Sequence, residues 1–138
     1  ELSRTRYFEK DIDQLLAGET DPLIKAEKIY SFAKSRVKWN NYLGYQEEVG
    51  GNKIYKDGEG NVGDINLMLT AMLRYAGLES NPVLLSTKNN GIPLFPTLKG
   101  FNYVISSVEV QWEVILLDTT EENSSFGELP GRARNWNV

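Results

Sequence analysis

The stretch GNVGDINLML, residues 60–69, joins a glycine-rich segment to the most apolar run of the chain. Asn61 stands where a helix N-cap is expected, and Asp64 follows three residues later in a variant of the capping box. The charge of Asp64 also suits the positive end of a helix dipole. In many enzymes such an elbow presents a nucleophile. Here the corresponding position holds Val62, whose side chain has no lone pair and no ionisable proton.

The helix that this elbow opens is predicted to run from about Val62 to Ala76 and to stop at Gly77. Apolar residues cover most of its circumference: Ile65, Leu67, Met68, Leu69, Ala71, Met72 and Leu73. A helix that is apolar nearly all round is buried within a domain. We therefore expect this helix to be the central element of the fold.

Two further helices and a long loop are predicted before the elbow. Apolar residues recur at helical spacing between Leu2 and Leu16, and a second helix begins at Pro22 after a cap at Thr20 or Asp21. Residues 38–60 lack sustained periodicity and are rich in Gly and Asn. They are predicted to form a long loop, and loops of this length are usually functional or mobile.

After the central helix the hydrophobic period changes from helical to extended. Residues 82–87, 101–110 and 112–118 are predicted strands, and the last two are joined by a short hairpin. The sequence thus predicts an α+β domain, with a helical N-terminal half and a central helix packed on an antiparallel sheet.

The composition limits the possible functions. The 138 residues favour one domain, 1–138, and a net charge of -4 disfavours nucleic acid as a partner. No apolar run reaches the roughly 20 residues that span a bilayer. The chain has no Cys and no His, which excludes Cys–His, Ser–His and histidine-based metal chemistry. We expect no cofactor and no metal site.

Three local motifs, in this order and spacing, resemble the transglutaminase-like (papain-like) superfamily. Members carry a Gly-x-Cys-x-Asp elbow on a central helix, then a strand with His, then a strand with Asp. The elbow matches residues 60–64, the histidine strand matches Phe101-Asn102-Tyr103, and the aspartate strand matches residues 116–120. The resemblance covers about residues 23–120 and implies a cysteine-proteinase-like core.

The resemblance also implies a degenerate catalytic triad. The Cys position holds Val62, the His position holds Tyr103, and the Asp position is retained as Asp118. Residues 63–69 and 82–87 are similar to a bacterial subgroup whose elbow reads like ADINLLL. In that subgroup the domain lies between two β-rich domains of larger, often exported, envelope proteins. Since the chain starts at Glu1 without Met or a signal sequence, we expect it to be part of a longer protein. The resemblance implies that this protein lies in the periplasm or the cell envelope.

Three functions remain open. The first is a non-catalytic scaffold or interaction module whose partners are the flanking domains. The second is a module that binds a glycan, a peptide or a protein in the former cleft. The third is an enzyme with carboxylate-based chemistry, in which Asp64 and Asp118, or Glu47 and Glu48, act as general acid and base. The third is disfavoured because Asp64 is explained by its place in the helix cap.

Aromatic side chains in or beside the long loop are the candidate binding residues, because Trp and Tyr combine a large apolar face with a polar tip. These residues are Trp39, Tyr42, Tyr45 and Tyr55, with Tyr103 and Asp118 at the former active site. The competing interpretation is that Trp39 packs beneath the loop. At the triad we expect the Tyr103 hydroxyl to donate to Asp118 over about 2.5–3.0 Å.

Overall fold

A computed structural model describes residues 5–40, 51–85, 103–110 and 113–120, without the side chains of Leu84, Leu85 and Tyr103. The elements in chain order are α1 (Arg6–Leu15), α2 (Pro22–Arg36), β1 (Lys38–Trp39), α3 (Gly51–Asp57), β2 (Glu59–Gly60), α4 (Val62–Tyr75), β3 (Glu79–Leu85), β4 (Tyr103–Val110) and β5 (Glu113–Leu117). The helices precede the main sheet, which confirms the predicted α+β class.

Helices α1 and α2 form where the sequence predicted them. Phe8 and Ile12 of α1 are buried, and Gly18 carries the turn to α2 with φ 79°. Asp21 is the cap of α2: its Oδ1 accepts a hydrogen bond of 2.9 Å from the backbone N–H of Leu23. The local signals of a cap followed by proline therefore located the start of α2 correctly.

The predicted loop over residues 38–60 is wrong in its described parts. Strands β1 and β2 form a short parallel pair in which Trp39 lies opposite Gly60, and α3 occupies seven residues between them. Ile54 and Tyr55 of α3 are buried, with 1% and 6% of their surface exposed. A seven-residue helix is too short to be marked by periodicity, so these core contacts stabilise it instead.

Helix α4 is the central element, as predicted. It packs against β4 and β3 on one side and against α2 and α3 on the others. Eleven of its 14 residues are buried, whereas Leu67 is partly exposed. The helix ends before Gly77, whose φ of 88° favours glycine.

The main sheet is antiparallel, with strand order β3-β4-β5. In the register, Leu85 lies opposite Tyr103, and Ser106 lies opposite Leu117. β3 begins at Glu79, three residues before its predicted start at Pro82. Proline is tolerated there because β3 lies at the edge of the described sheet, where a ladder hydrogen bond is not required on both sides.

Tyr55 joins α3 to the neighbouring helices α1 and α2 through side-chain contacts. Its hydroxyl donates to the carboxylate of Asp11 on α1, and the guanidinium carbon of Arg36 lies 4.4 Å from its ring centroid. The ring of Tyr7 packs edge-on against it, with centroids 5.4 Å apart. Burial, with the hydrogen bond to Asp11, raises the pKa of the Tyr55 phenol far above its usual value near 10.

This raised pKa predicts a pH-dependent contribution to stability. The fold favours the neutral phenol, so the contribution is complete below about pH 10 and is lost as the pH rises above that value. Tyr55→Phe should reduce the free energy of unfolding at pH 8 by about 1–2 kcal/mol. The difference from wild type should shrink between pH 8 and pH 11, as measured by urea unfolding. A difference that is constant over this range would contradict the proposed cause.

Candidate functional site

The elbow between β2 and α4 is closely packed. A Cβ on Gly60 would lie 2.8 Å from Cγ2 of Ile54 and 3.3 Å from Cβ of Asp64, so only glycine fits without a shift. Asn61 then caps α4, because its Oδ1 accepts a hydrogen bond of 2.7 Å from the backbone N–H of Asp64. The capping interaction predicted from the sequence is confirmed. Both Asn61 and Asp64 are buried.

One row of side chains on α4, spaced four residues apart, faces the sheet. Asn66 donates to the backbone carbonyl of Val104 at 2.8 Å, and Thr70 lies 2.8 Å from the hydroxyl of Ser106. Arg74 donates to the backbone carbonyl of Ser80 at 2.7 Å. Val62 begins the same row one turn before Asn66 and is completely buried. The elbow residue is therefore placed at the junction between helix and sheet.

Asn66 is the centre of the polar contacts at this junction. Its amide nitrogen donates both to Val104 and, at 3.0 Å, to Oδ1 of Asp118. Its amide oxygen accepts from the backbone N–H of Thr119 at 3.2 Å. One side chain thus joins α4 to β4 and to the turn that follows β5.

Asp118 is fully buried, and its Oδ1 receives three hydrogen bonds. One comes from Asn66; the others come from the backbone N–H of Thr120 at 2.9 Å and the hydroxyl of Thr120 at 2.7 Å. The hydroxyl of Tyr30 on α2 makes a long contact of 3.5 Å with the backbone carbonyl of Asp118. The chain therefore holds this carboxylate through local and tertiary donors.

Of the three positions that the motifs assign to a catalytic triad, Asp118 takes part in these contacts and Val62 lies one turn before Asn66 on α4. Val62 and Asn66 share one face of α4, and Asn66 contacts both Asp118 and the residue next to Tyr103. The side chain of Tyr103 lies outside the described side chains, so its expected hydrogen bond to Asp118 stays a prediction. Its backbone belongs to β4.

The structure places the candidate aromatic binding residues that it describes in different environments. Trp39 is partly buried, packs against the core and lies opposite Gly60 beside the elbow. Tyr55 is a core residue, and its hydroxyl is directed to Asp11. Tyr42 and Tyr45 lie outside the described residues, as do Glu47 and Glu48. Tyr55 is therefore placed as a packing residue in the helical half.

Sequence reasoning missed the residues that organise the site. Asn66, Thr119 and Thr120 belong to the motifs quoted above, but the sequence assigned no role to any of them. The available signal was an amide side chain inside an otherwise apolar helix, which requires a buried partner. That signal indicates that a partner exists, but only the fold identifies it as Asp118.

The chemical capacity of this cluster is limited by how completely it is paired. Within the described part of the chain, every buried side-chain nitrogen or oxygen has a hydrogen-bond partner. The same residues contain no group of three or more acidic side chains placed to hold a metal ion. They also include no helix with the length and apolar character needed to cross a membrane. The described cluster is suited to fixing the helix on the sheet.

Comparison with known proteins assigns the fold. The sequence model of the transglutaminase-like superfamily matches residues 10–119, most of the chain. The chain belongs to the transglutaminase-like superfamily. This confirms the family that the three motifs indicated. No curated protein matches the sequence significantly.

One solved structure shares the fold of this transglutaminase-like domain. It is a protein of Parabacteroides distasonis ATCC 8503 that carries the provisional name of a protease. The two superpose with a TM-score of 0.67 at 13% sequence identity, over 85% of this chain. The match covers 24% of the other chain, so the domain spans about a quarter of that protein's length.

The hydrogen bonds of Asn66 predict a large effect of its removal. Asn66→Ala should lower the free energy of unfolding by about 2–4 kcal/mol, because it leaves the carbonyl of Val104 and the N–H of Thr119 unpaired. Asn66→Asp should lower the free energy of unfolding further, since it replaces the donor to Asp118 by a second carboxylate oxygen. Urea unfolding followed by circular dichroism measures both variants. Asn52→Ala, on the exposed surface of α3, is the control, and equal effects at positions 52 and 66 would contradict the assigned role.

Proposed function

We propose that this transglutaminase-like domain is non-catalytic and serves as a scaffold or interaction module in a larger bacterial envelope protein. The observation that carries the proposal is Val62, which occupies the first position of α4 and is completely buried. The motif resemblance assigns the nucleophile to this position. A valine side chain can neither attack a carbonyl nor transfer a proton.

The composition of the chain supports the same proposal. It contains no Cys and no His, so no other residue of these types can take over the lost roles. The position assigned to the histidine holds Tyr103, and a phenol with a pKa near 10 is a poor general base at neutral pH. Asp118, assigned as the third member, already accepts three hydrogen bonds from Asn66 and Thr120.

The partners that we propose are β-rich domains in the same protein, in the periplasm or cell envelope. This part of the proposal is supported by the resemblance of residues 63–69 and 82–87 to the bacterial subgroup. It is also supported by the structural match, which covers only a quarter of a longer chain. A domain without a nucleophile can still fix the arrangement of the other domains of a larger protein by packing against them.

A glycan- or peptide-binding role for the former cleft has less support. Of the aromatic candidates in the described residues, Tyr55 is buried in the core, and Trp39 packs against the core with only part of its surface exposed. An aromatic platform for a sugar or a peptide needs an accessible face. Between the two candidates that the structure describes, Trp39 and Tyr55, Trp39 is the one with part of its surface exposed.

The proposal predicts no turnover of glutamine or peptide-amide substrates. The assay measures ammonia or amine release by the purified chain, with Asp118→Asn as the comparison. Activity that persists through purification and is abolished in folded Asp118→Asn would overturn the non-catalytic assignment. Activity that is equal in wild type and in Asp118→Asn would be assigned to a contaminant and would leave the proposal intact.

A second prediction tests the assignment of positions 62 and 103. Because the chain has no other Cys, Val62→Cys introduces a single thiol whose pKa can be read from the pH dependence of alkylation by iodoacetamide. In Val62→Cys alone, burial raises this pKa and the N-terminus of α4 lowers it, so this variant supplies the reference value. Adding Tyr103→His should lower it, as in a thiolate–imidazolium pair. Equal thiol pKa values in the two variants would show that these positions do not face each other.

A further inference from the structure

A crevice opens at the C-terminal end of α4, at the opposite end of the helix from the elbow. Its volume is about 450 Å³, within the range of small-molecule sites, and it lies where α4 meets the turn between α1 and α2. The 14 residues of α4 separate it from Val62 by roughly 20 Å. The apolar part of its wall is formed by Ile12, Leu16 and Ala76. The crevice is therefore distinct from the site described above.

The surroundings of Asp13 in the crevice favour a positive charge. Asp13 lies on its wall, and its Oδ1 accepts a hydrogen bond of 2.8 Å from the hydroxyl of Tyr75. This bond fixes the carboxylate and raises the pKa of Tyr75 above its usual value. The C-terminal ends of α1 and α4 also lie here, and the last carbonyls of a helix carry partial negative charge. A cation bound beside Asp13 would gain from all these groups.

A second charged residue of the crevice, Lys25, favours a negative charge. Lys25, on the first turn of α2, lines the crevice and is partly buried. Within residues 5–40, 51–85, 103–110 and 113–120, no carboxylate forms an ion pair with its ammonium group. Glu19, on the same wall, is instead engaged with Lys28 at 3.5 Å and with the backbone N–H of Asp21 at 3.2 Å. Lys25 therefore remains available to an anionic group of a ligand.

We propose that this crevice binds a small zwitterion of the amino-acid or dipeptide class. The α-ammonium group of the ligand lies at Asp13, its carboxylate lies at Lys25, and an apolar side chain covers Ile12 and Leu16. The two opposite charges in one crevice with an apolar lining select this class over a purely cationic, anionic or neutral ligand.

The test uses the dipeptide Leu-Leu as the probe and N-acetyl-Leu-Leu-amide, which keeps both leucine side chains but lacks both charges, as the matched control. Both are titrated into the ¹⁵N-labelled chain, and amide signals are followed by NMR. Leu-Leu should shift the signals of Gly18, Tyr75 and Ala76, which line the crevice, and bind at least about threefold more tightly than the uncharged control. No saturable shift at these signals, or equal affinity for both compounds, would overturn the proposal.

Two charge variants separate this site from non-specific binding. Asp13→Asn keeps an oxygen for the Tyr75 hydroxyl but removes the negative charge, and Lys25→Gln removes the positive charge. Each should weaken Leu-Leu binding roughly three- to fivefold and leave the uncharged control unaffected. Lys53→Gln and Asp57→Asn alter a surface ion pair on α3 and should change neither affinity. If the α3 variants weaken binding as much as the crevice variants do, the proposed charge contacts are wrong.

Discussion

The amide of Asn66 is the interaction on which the arrangement of this domain depends. It lies inside the central helix, where a polar group without a partner would cost several kcal/mol. It finds its partners on two separate parts of the chain: the carbonyl of Val104 in the central strand, and Asp118 with Thr119 after the last strand. Apolar packing alone tolerates a range of helix positions on a sheet, whereas a fully paired amide accepts only one. The hydrogen bonds of Asn66 therefore define how α4 sits on β4, and the apolar core is built around that geometry.

The same cluster explains how a buried carboxylate persists at Asp118 without a histidine beside it. Thr120 supplies two donors from two residues along the chain, and Asn66 supplies a third from α4. These donors belong to the fold itself, so they stabilise the carboxylate whether or not a catalytic group faces it. Such an aspartate stays paired without a nucleophile or a base beside it. The proposed assignment of the catalytic positions to Val62 and Tyr103 is therefore compatible with the architecture of the family.

How far the sequence predicted the structure depends on the distance over which each signal acts. The cap at Asn61 and the extent of α4 were predicted correctly, and Asp21 is one of the two caps predicted for α2, because each of these features is determined by residues two to four positions apart. The three strands were found because their period is local, although the start of β3 was placed too late. Helix α3 was missed because seven residues carry too little periodicity, and Tyr55 and Ile54 stabilise it through tertiary contacts. The partners of Asn66 were missed because Val104 and Asp118 are distant from it in the chain, so no local pattern indicates them.

The two ends of α4 differ in what they leave for other molecules. At the N-terminal end the helix meets β2 at Gly60, where even a methyl group would be crowded, and the polar atoms around Asn66 are satisfied within the chain. Such an end contributes rigidity. At the C-terminal end, Tyr75 is only partly buried and its hydroxyl fixes Asp13 in the lining of an open crevice that Lys25 also lines. Binding requires groups whose hydrogen-bonding capacity and charge are not fully satisfied by contacts inside the fold. Because the paired amide of Asn66 fixes α4 on the sheet, Tyr75 near the other end of the helix can hold Asp13 in a constant position. The core of the domain thereby supports the crevice as a recognition surface.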